Sequence, residues 1–240
     1  EVLQTTLSQY TTEAGALKQE MMPWTRQEAQ NLERLTIVSC GTAYHAAMLG
    51  KKFIERLAKL PVDVDIASEF RYGDTSLQEG DTLMLVSQSG ETADTIAAMR
   101  RGRELGCQTL AICNVIGSTM TREADKVLYT YAGPEIAVAA TKTYLTQIAV
   151  LYLLALDLAQ KRGVLSEEKQ KSLLLEMRGL PKYMQQVLDN RERIQFFSSR
   201  AFAIKHVFFI GRGMDYALAL EAALKLKEIS YIHSEAYPAG

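Results

Sequence analysis

Three short apolar runs each break off into a polar loop that leads to a helix-prone stretch: LTIVS at 35–39, TLMLVS at 82–87 and QTLAICN at 108–114. This rhythm constrains the fold more than any other feature of the chain. After the first run, YHAAMLGKKFIERLAKL (44–60) has helical spacing, with Ala47, Leu49, Phe53, Ile54 and Leu57 available to one broad face. VDVDIAS (62–68) is a further strand before a loop at Gly73. ADTIAAMRRGREL (93–105) predicts the next helix, KVLYTYA (126–132) a strand after a loop and a short helical turn, and residues 141–161 a long helix. Strands alternating with helices predict an α/β fold with a mainly parallel sheet. The unbroken apolar run LMLV agrees, because parallel strands are covered by helices on both faces.

Two flanking regions differ. Residues 1–34 are polar and helix-prone, with a break at Pro23, and read as a helical lead-in or linker rather than a core element. Residues 166–203 read as mostly helical, with Pro181 opening a new helix at a tolerated first-turn position. KHVFFIGRGMDYALALEAALKLKEIS (205–230) then repeats the layout of RLTIVSCGTAYHAAMLGKKFIERL (34–57): apolar strand, glycine turn, helix, with Gly41 and Gly211 170 residues apart. The predicted organisation is a lead-in (1–34), a first domain with trailing helices (35–203) and the start of a truncated second domain (204–240). One strand–helix unit cannot bury its own faces, so the last segment is expected to dock on the first domain and the sequence to be part of a longer protein.

Composition narrows the function classes. A formal net charge of -1 offers no electrostatic footprint for nucleic acid or an anionic membrane. The apolar run IAVLYLLALDLAQ is interrupted by Asp157 and reads as a buried helix. Three cysteines (Cys40, Cys107, Cys113) without CxxC or Cys/His clustering argue for reduced thiols in a cytoplasmic setting and against a metal site. His45, His206 and His233 have no metal-ligand spacing and read as surface or helix-packing residues.

The chemistry concentrates at SQSGET (87–92), where the apolar run LMLV stops. In open α/β sheets ligands bind beyond the carboxyl ends of the strands, where helix N-termini present unpaired N–H groups to an anion. Hydroxyls from Ser87, Ser89 and Thr92, with Gly90 allowing close backbone approach, suffice to hold a phosphate without cationic side chains. The simpler alternative is an N-cap by Ser89 with Glu91 in the first helical turn, but three hydroxyls and a glutamine exceed what capping needs. SCGTA (39–43) makes the same transition, with Thr42 as cap or ligand. GPEIAVAATKT (133–143) is a long small-residue loop with Thr141 as the expected cap of the next helix. Glu221, Lys225 and Glu228 share one helical face, by spacing alone a solvated ion-pair ladder.

CGTAYHAA, ASEFRY (67–72), SQSGETADT (87–95), AICNVIGS (111–118), AGPEIAVAATKTYLTQ (132–147) and EAALKLKEISYIHSEAYPAG (221–240) together resemble the isomerase part of the glucosamine-6-phosphate synthase family, over residues 35–240. That part consists of two sugar isomerase (SIS) domains, so the resemblance implies a three-layer α/β/α, flavodoxin-like fold with the first strand–helix unit of a second repeat. It also implies conversion of fructose 6-phosphate and glutamine-derived ammonia to glucosamine 6-phosphate, without a cofactor, in a cytoplasmic homodimer. Ser87, Gln88, Ser89 and Thr92 would hold the phosphate, and Thr42 with the backbone at Val138 and Ala139 would line the sugar site. Glu228 would move the proton between C1 and C2, supported by Lys225. Ala43 and Ala140 stand where the family usually has serine. The family's catalytic N-terminal cysteine, ring-opening histidine and Schiff-base lysine have no counterpart in this sequence. The expectation is therefore a nearly complete phosphosugar pocket, inactive without the glutaminase and second SIS domains. A non-catalytic phosphosugar-binding regulatory module and a stand-alone SIS isomerase or deglycase are the alternatives; Glu228 and Lys225 separate an enzyme from a pure binding module.

Overall fold

The computed structural model describes residues 1–201 and 203–240. Its centre is a sheet of five parallel strands, β1 (Leu35–Ser39), β2 (Val62–Ile66), β3 (Thr82–Ser87), β4 (Gln108–Cys113) and β5 (Lys126–Tyr129), in the order β2-β1-β3-β4-β5. Alternate residues of each strand point to opposite faces, and both faces are buried. Leu35, Ile37, Met84, Val86, Leu110 and Ile112 pack with α1 (Val2–Tyr10), α3 (Gly41–Ala58) and α7 (Lys142–Lys161). Val38, Leu83, Leu85, Ala111 and Cys113 face α4 (Ala67–Tyr72) and α5 (Ala93–Glu104). This is the three-layer α/β/α arrangement that the strand–helix rhythm predicts. Each fully buried Leu, Ile or Met contributes about 1.5–3 kcal/mol, so the strands carry much of the stability.

Helix α7 has the length and hydropathy of a membrane span, yet 72% of its most apolar 18-residue window is buried inside the protein. It packs on α3 at Gly50, where a Cβ would lie 2.9 Å from Leu151 Cδ2, so a side chain there would force the two helices apart.

Three local expectations are corrected. The lead-in is helical in α1 and α2 (Arg26–Asn31), but it belongs to the core: Leu3, Leu7, Tyr10, Trp24 and Ala29 are buried. Hydrogen bonds seat it, from Thr6 Oγ1 to the Thr130 carbonyl (2.7 Å) and from the Tyr10 hydroxyl to the Tyr129 carbonyl (2.6 Å). Pro181 does not open a helix. It lies inside α8 (Glu167–Asp189), which runs on through it before α9 (Arg191–Ala201). The residues after β2, expected to extend that strand, form α4 instead. The loop before β5 contains the short α6 (Thr119–Glu123).

The segment after residue 204 is a strand–helix–strand unit rather than a strand and a helix: β6 (His206–Gly211), α10 (Met214–Ser230) and β7 (His233–Pro238), with β6 and β7 paired in parallel. Helix α10 rests on α3. The two-stranded sheet leaves Phe208 and Ile210 largely exposed.

One buried ion pair anchors the far end of α7. Asp157 is fully buried and Lys161 is 6% exposed; Lys161 Nζ donates to Asp157 Oδ2 (2.8 Å) and to the Trp24 carbonyl (2.6 Å). Burial pushes the Asp157 carboxyl above its ordinary range, and Lys161 pulls it partly back. Lys161→Met removes that counterweight, so Asp157 holds its proton to higher pH and folding costs more the further the pH rises above the unfolded carboxyl's pKa. Urea unfolding is expected to show a loss of about 3–5 kcal/mol at pH 7 and a clearly smaller loss at pH 5. A pH-independent loss would assign the cost to packing instead.

Candidate phosphosugar site

The strand order turns back on itself between β1 and β3, and ligand crevices open at such switch points. The turn after β1, the loop after β3 and the segment leading into α7 meet there around a cleft of about 280 Å³, close to the ~300 Å³ at which small-molecule sites begin.

The β3–α5 loop is built to be rigid. Ser87 Oγ accepts a hydrogen bond from the Gly90 N–H (3.0 Å) and sits 3.4 Å from Thr92 Oγ1, while Ser89 Oγ accepts from the Glu91 N–H (3.1 Å). Gly90 has φ +67°, and a Cβ on it would fall 2.1 Å from Ser118 Oγ, so no other residue fits this turn. Ser89 does not cap α5. The cap position is Thr92, with no side-chain cap bond, so the first N–H groups of α5 remain open to a ligand.

Two carboxylates, Glu91 beside the cleft and Glu135 on its wall, are engaged by backbone N–H groups. Glu91 turns outward, and the hydrogen bond it accepts from the Thr119 N–H (2.7 Å), at the start of α6, holds its carboxyl below the ordinary range. Glu135 Oε2 accepts from the Thr141 N–H (3.3 Å), the Thr143 N–H (3.2 Å) and Thr143 Oγ1 (3.1 Å). Burial raises the Glu135 carboxyl, but these bonds outweigh it and leave the group below its usual range. Glu135 thus takes the capping role expected of Thr141, whose own side chain makes no cap bond. Glu135 caps the positive end of α7; α5 has no side-chain cap bond, and the one acidic residue of its first turn, Asp94, pairs with Arg71 (3.0 Å).

Thr42, Ser87, Gln88, Ser89, Thr92, Val138 and Glu228 all line this cleft. Ala139 does not; its neighbours Ala137, Val138 and Ala140 do. Ala43 and Ala140 present methyl groups to it where a serine would offer a hydroxyl. Lys225 stands behind the wall, with Nζ 2.5 Å from Glu228 Oε2, 3.0 Å from Thr42 Oγ1 and 3.5 Å from Glu221 Oε1.

The α10 trio is not the solvated ladder its spacing suggests. Glu221 is only 5% exposed, accepts from Thr42 Oγ1 (3.0 Å) and pairs with His45 Nδ1 (2.7 Å). These contacts clamp α10 to α3 and thereby bring Glu228 to the cleft that the β3–α5 loop lines. His45, Glu135 and the clamping role of Glu221 escape sequence reasoning because their partners are distant in the chain.

Comparison with known proteins gives the site a context. The family model described as "SIS domain" matches residues 30–157 and 202–240. The glutamine–fructose-6-phosphate aminotransferase (isomerizing) of Caldanaerobacter subterraneus subsp. tengcongensis is 55% identical over 90% of this chain and 36% of its own length. Its counterpart from Methanosarcina mazei is 49% identical over 94% of this chain and 37% of its own length. The chain therefore spans a little over a third of these relatives. The solved C-terminal domain of glucosamine-fructose-6-phosphate aminotransferase from Francisella tularensis superposes with a TM-score of 0.94 at 35% identity, covering 99% of this chain and 67% of that one.

The clamp makes a direct prediction. Glu221→Ala leaves Thr42, His45 and Lys225 without their shared partner, so amide exchange in α10, β6 and β7 is expected to accelerate while the five-stranded sheet stays protected. Unchanged exchange in α10 would show that apolar contact alone holds it.

Proposed function

We propose, from the premise that this chain belongs to the SIS domain family, on the branch of the glutamine–fructose-6-phosphate aminotransferases, that its cleft holds fructose 6-phosphate and glucosamine 6-phosphate. The phosphate rests on Ser87, Gln88, Ser89 and Thr92, and the sugar lies along Thr42 and the backbone at Val138. The chain is then the isomerase part of an enzyme that joins fructose 6-phosphate to glutamine-derived ammonia, giving glucosamine 6-phosphate and water for amino-sugar synthesis. The reading places the protein in the cytoplasm as a homodimer, working with glutaminase and second SIS domains.

The observation that carries this reading is the uncapped N-terminus of α5 behind a loop rich in hydroxyls, with the loop's one carboxylate turned away. A phosphate dianion there gains charge-assisted hydrogen bonds and the favourable end of the helix dipole. Glu228 lines the same cleft, with the Lys225 ammonium against its carboxylate. A carboxylate so placed suits the shuttling of a proton between C1 and C2, and a pure binding module has no need of it.

Calorimetric titration with fructose 6-phosphate and glucosamine 6-phosphate tests the proposal. Hydrogen bonds to a charged group are worth about 1.5–3 kcal/mol each, so the double variant Ser89→Ala, Thr92→Ala is expected to bind at least about 100-fold more weakly. Glu228→Gln, which removes the base and keeps the shape, is expected to bind as the parent does. Undiminished binding by the double variant would refute the phosphate assignment.

A further inference from the structure

Four buried side-chain oxygens lack a hydrogen-bond partner among the described residues: Ser39 Oγ, the Tyr144 hydroxyl, Gln147 Oε1 and Asp157 Oδ1. Of these residues only Gln147 lines the cleft. It lies early in α7, is 2% exposed and is flanked on the helix by the buried residues Thr146, Val150 and Leu151. Neighbouring hydroxyls do not serve it: Thr143 Oγ1 donates to Glu135 (3.1 Å) and Thr146 Oγ1 to the Thr143 carbonyl (3.0 Å).

A buried amide oxygen without a partner destabilises the fold, and an apolar side chain of the same length would not. The oxygen is an acceptor only. Gln147 Nε2 has no partner among the described residues either, so the amide offers an acceptor and a donor; a hydroxyl answers both, an ionised phosphate only the donor. We infer that Gln147 is a specificity-determining residue of the cleft, its side-chain amide exchanging a hydrogen bond with a hydroxyl of the sugar. The inference rests on the reading of the cleft as a sugar-phosphate site and divides its labour: the β3–α5 loop holds the phosphate and Gln147 reads the sugar. Stability and recognition then pull in opposite directions at this one side chain.

Gln147→Met keeps the length and removes the unpaired oxygen. The free variant is expected to unfold at higher denaturant concentration than the parent. It should bind inorganic phosphate as the parent does and fructose 6-phosphate about tenfold more weakly, the size of one neutral hydrogen bond. Equal weakening of both ligands would overturn the inference, because it would mark a general distortion of the cleft. So would an unchanged affinity for fructose 6-phosphate when the parent binds both ligands, which would leave the phosphate assignment standing. A parent chain that binds neither ligand would overturn the cleft reading and this inference with it. A measurement that needs no variant is the Gln147 side-chain amide resonance in labelled parent protein. It is expected to shift with fructose 6-phosphate and not with inorganic phosphate; no shift with the sugar phosphate would refute the contact.

Discussion

The parallel pairing of β1 with β3, at the point where the strand order reverses, is the constraint on which the rest of the structure depends. From β1 the chain crosses to β2 through α3 on one face of the sheet; from β3 it crosses to β4 through α5 on the other. Parallel strands need such crossovers, and two that leave neighbouring strands in opposite directions draw their loops apart. A crevice at that edge follows from the connectivity before any side chain is chosen. The residues at the ends of β1 and β3 decide what it holds, and the side chains there are Thr42 and the Ser87–Thr92 group.

Carboxylates then settle where an anion is welcome. Glu91 and Glu135 each accept backbone N–H groups at the start of a helix, α6 and α7, and each is held in its ionised form by doing so. With those two helix ends occupied, the N-terminus of α5 is the one at the cleft without a side-chain cap bond, and Asp94 in its first turn is paired with Arg71. The proposed dianion site has no arginine or lysine in its β3–α5 loop; hydroxyls and backbone N–H groups are the donors that the loop offers.

Helix α10 ties a second structural unit into the first. Its Glu221 is buried against Thr42 and His45, so the α3–α10 contact is polar and directional as well as apolar. That geometry sets the rotation of α10 and hence the place of Glu228, two turns further on. The small β6–β7 sheet is far less covered than the main one and leaves Phe208 and Ile210 exposed.

The five strands, the principal helices and the polar loop after β3 were legible in the sequence because they rest on local signals: apolar runs, helical spacing, glycine and hydroxyl clusters. The buried lead-in was half legible, since Leu3, Leu7 and Tyr10 fall at helical spacing, but nothing local says that such a face meets the core. The continuous α8 was misread because a proline weakens a helix without always ending it. What only the tertiary structure decided are the pairings between residues far apart in the chain. Glu221 with His45, Glu135 as the cap of α7, Glu91 turned away from the cleft and Gln147 left unpaired within it all depend on which elements meet and at what angle. Periodicity determines the face a residue occupies; only packing determines what that face meets.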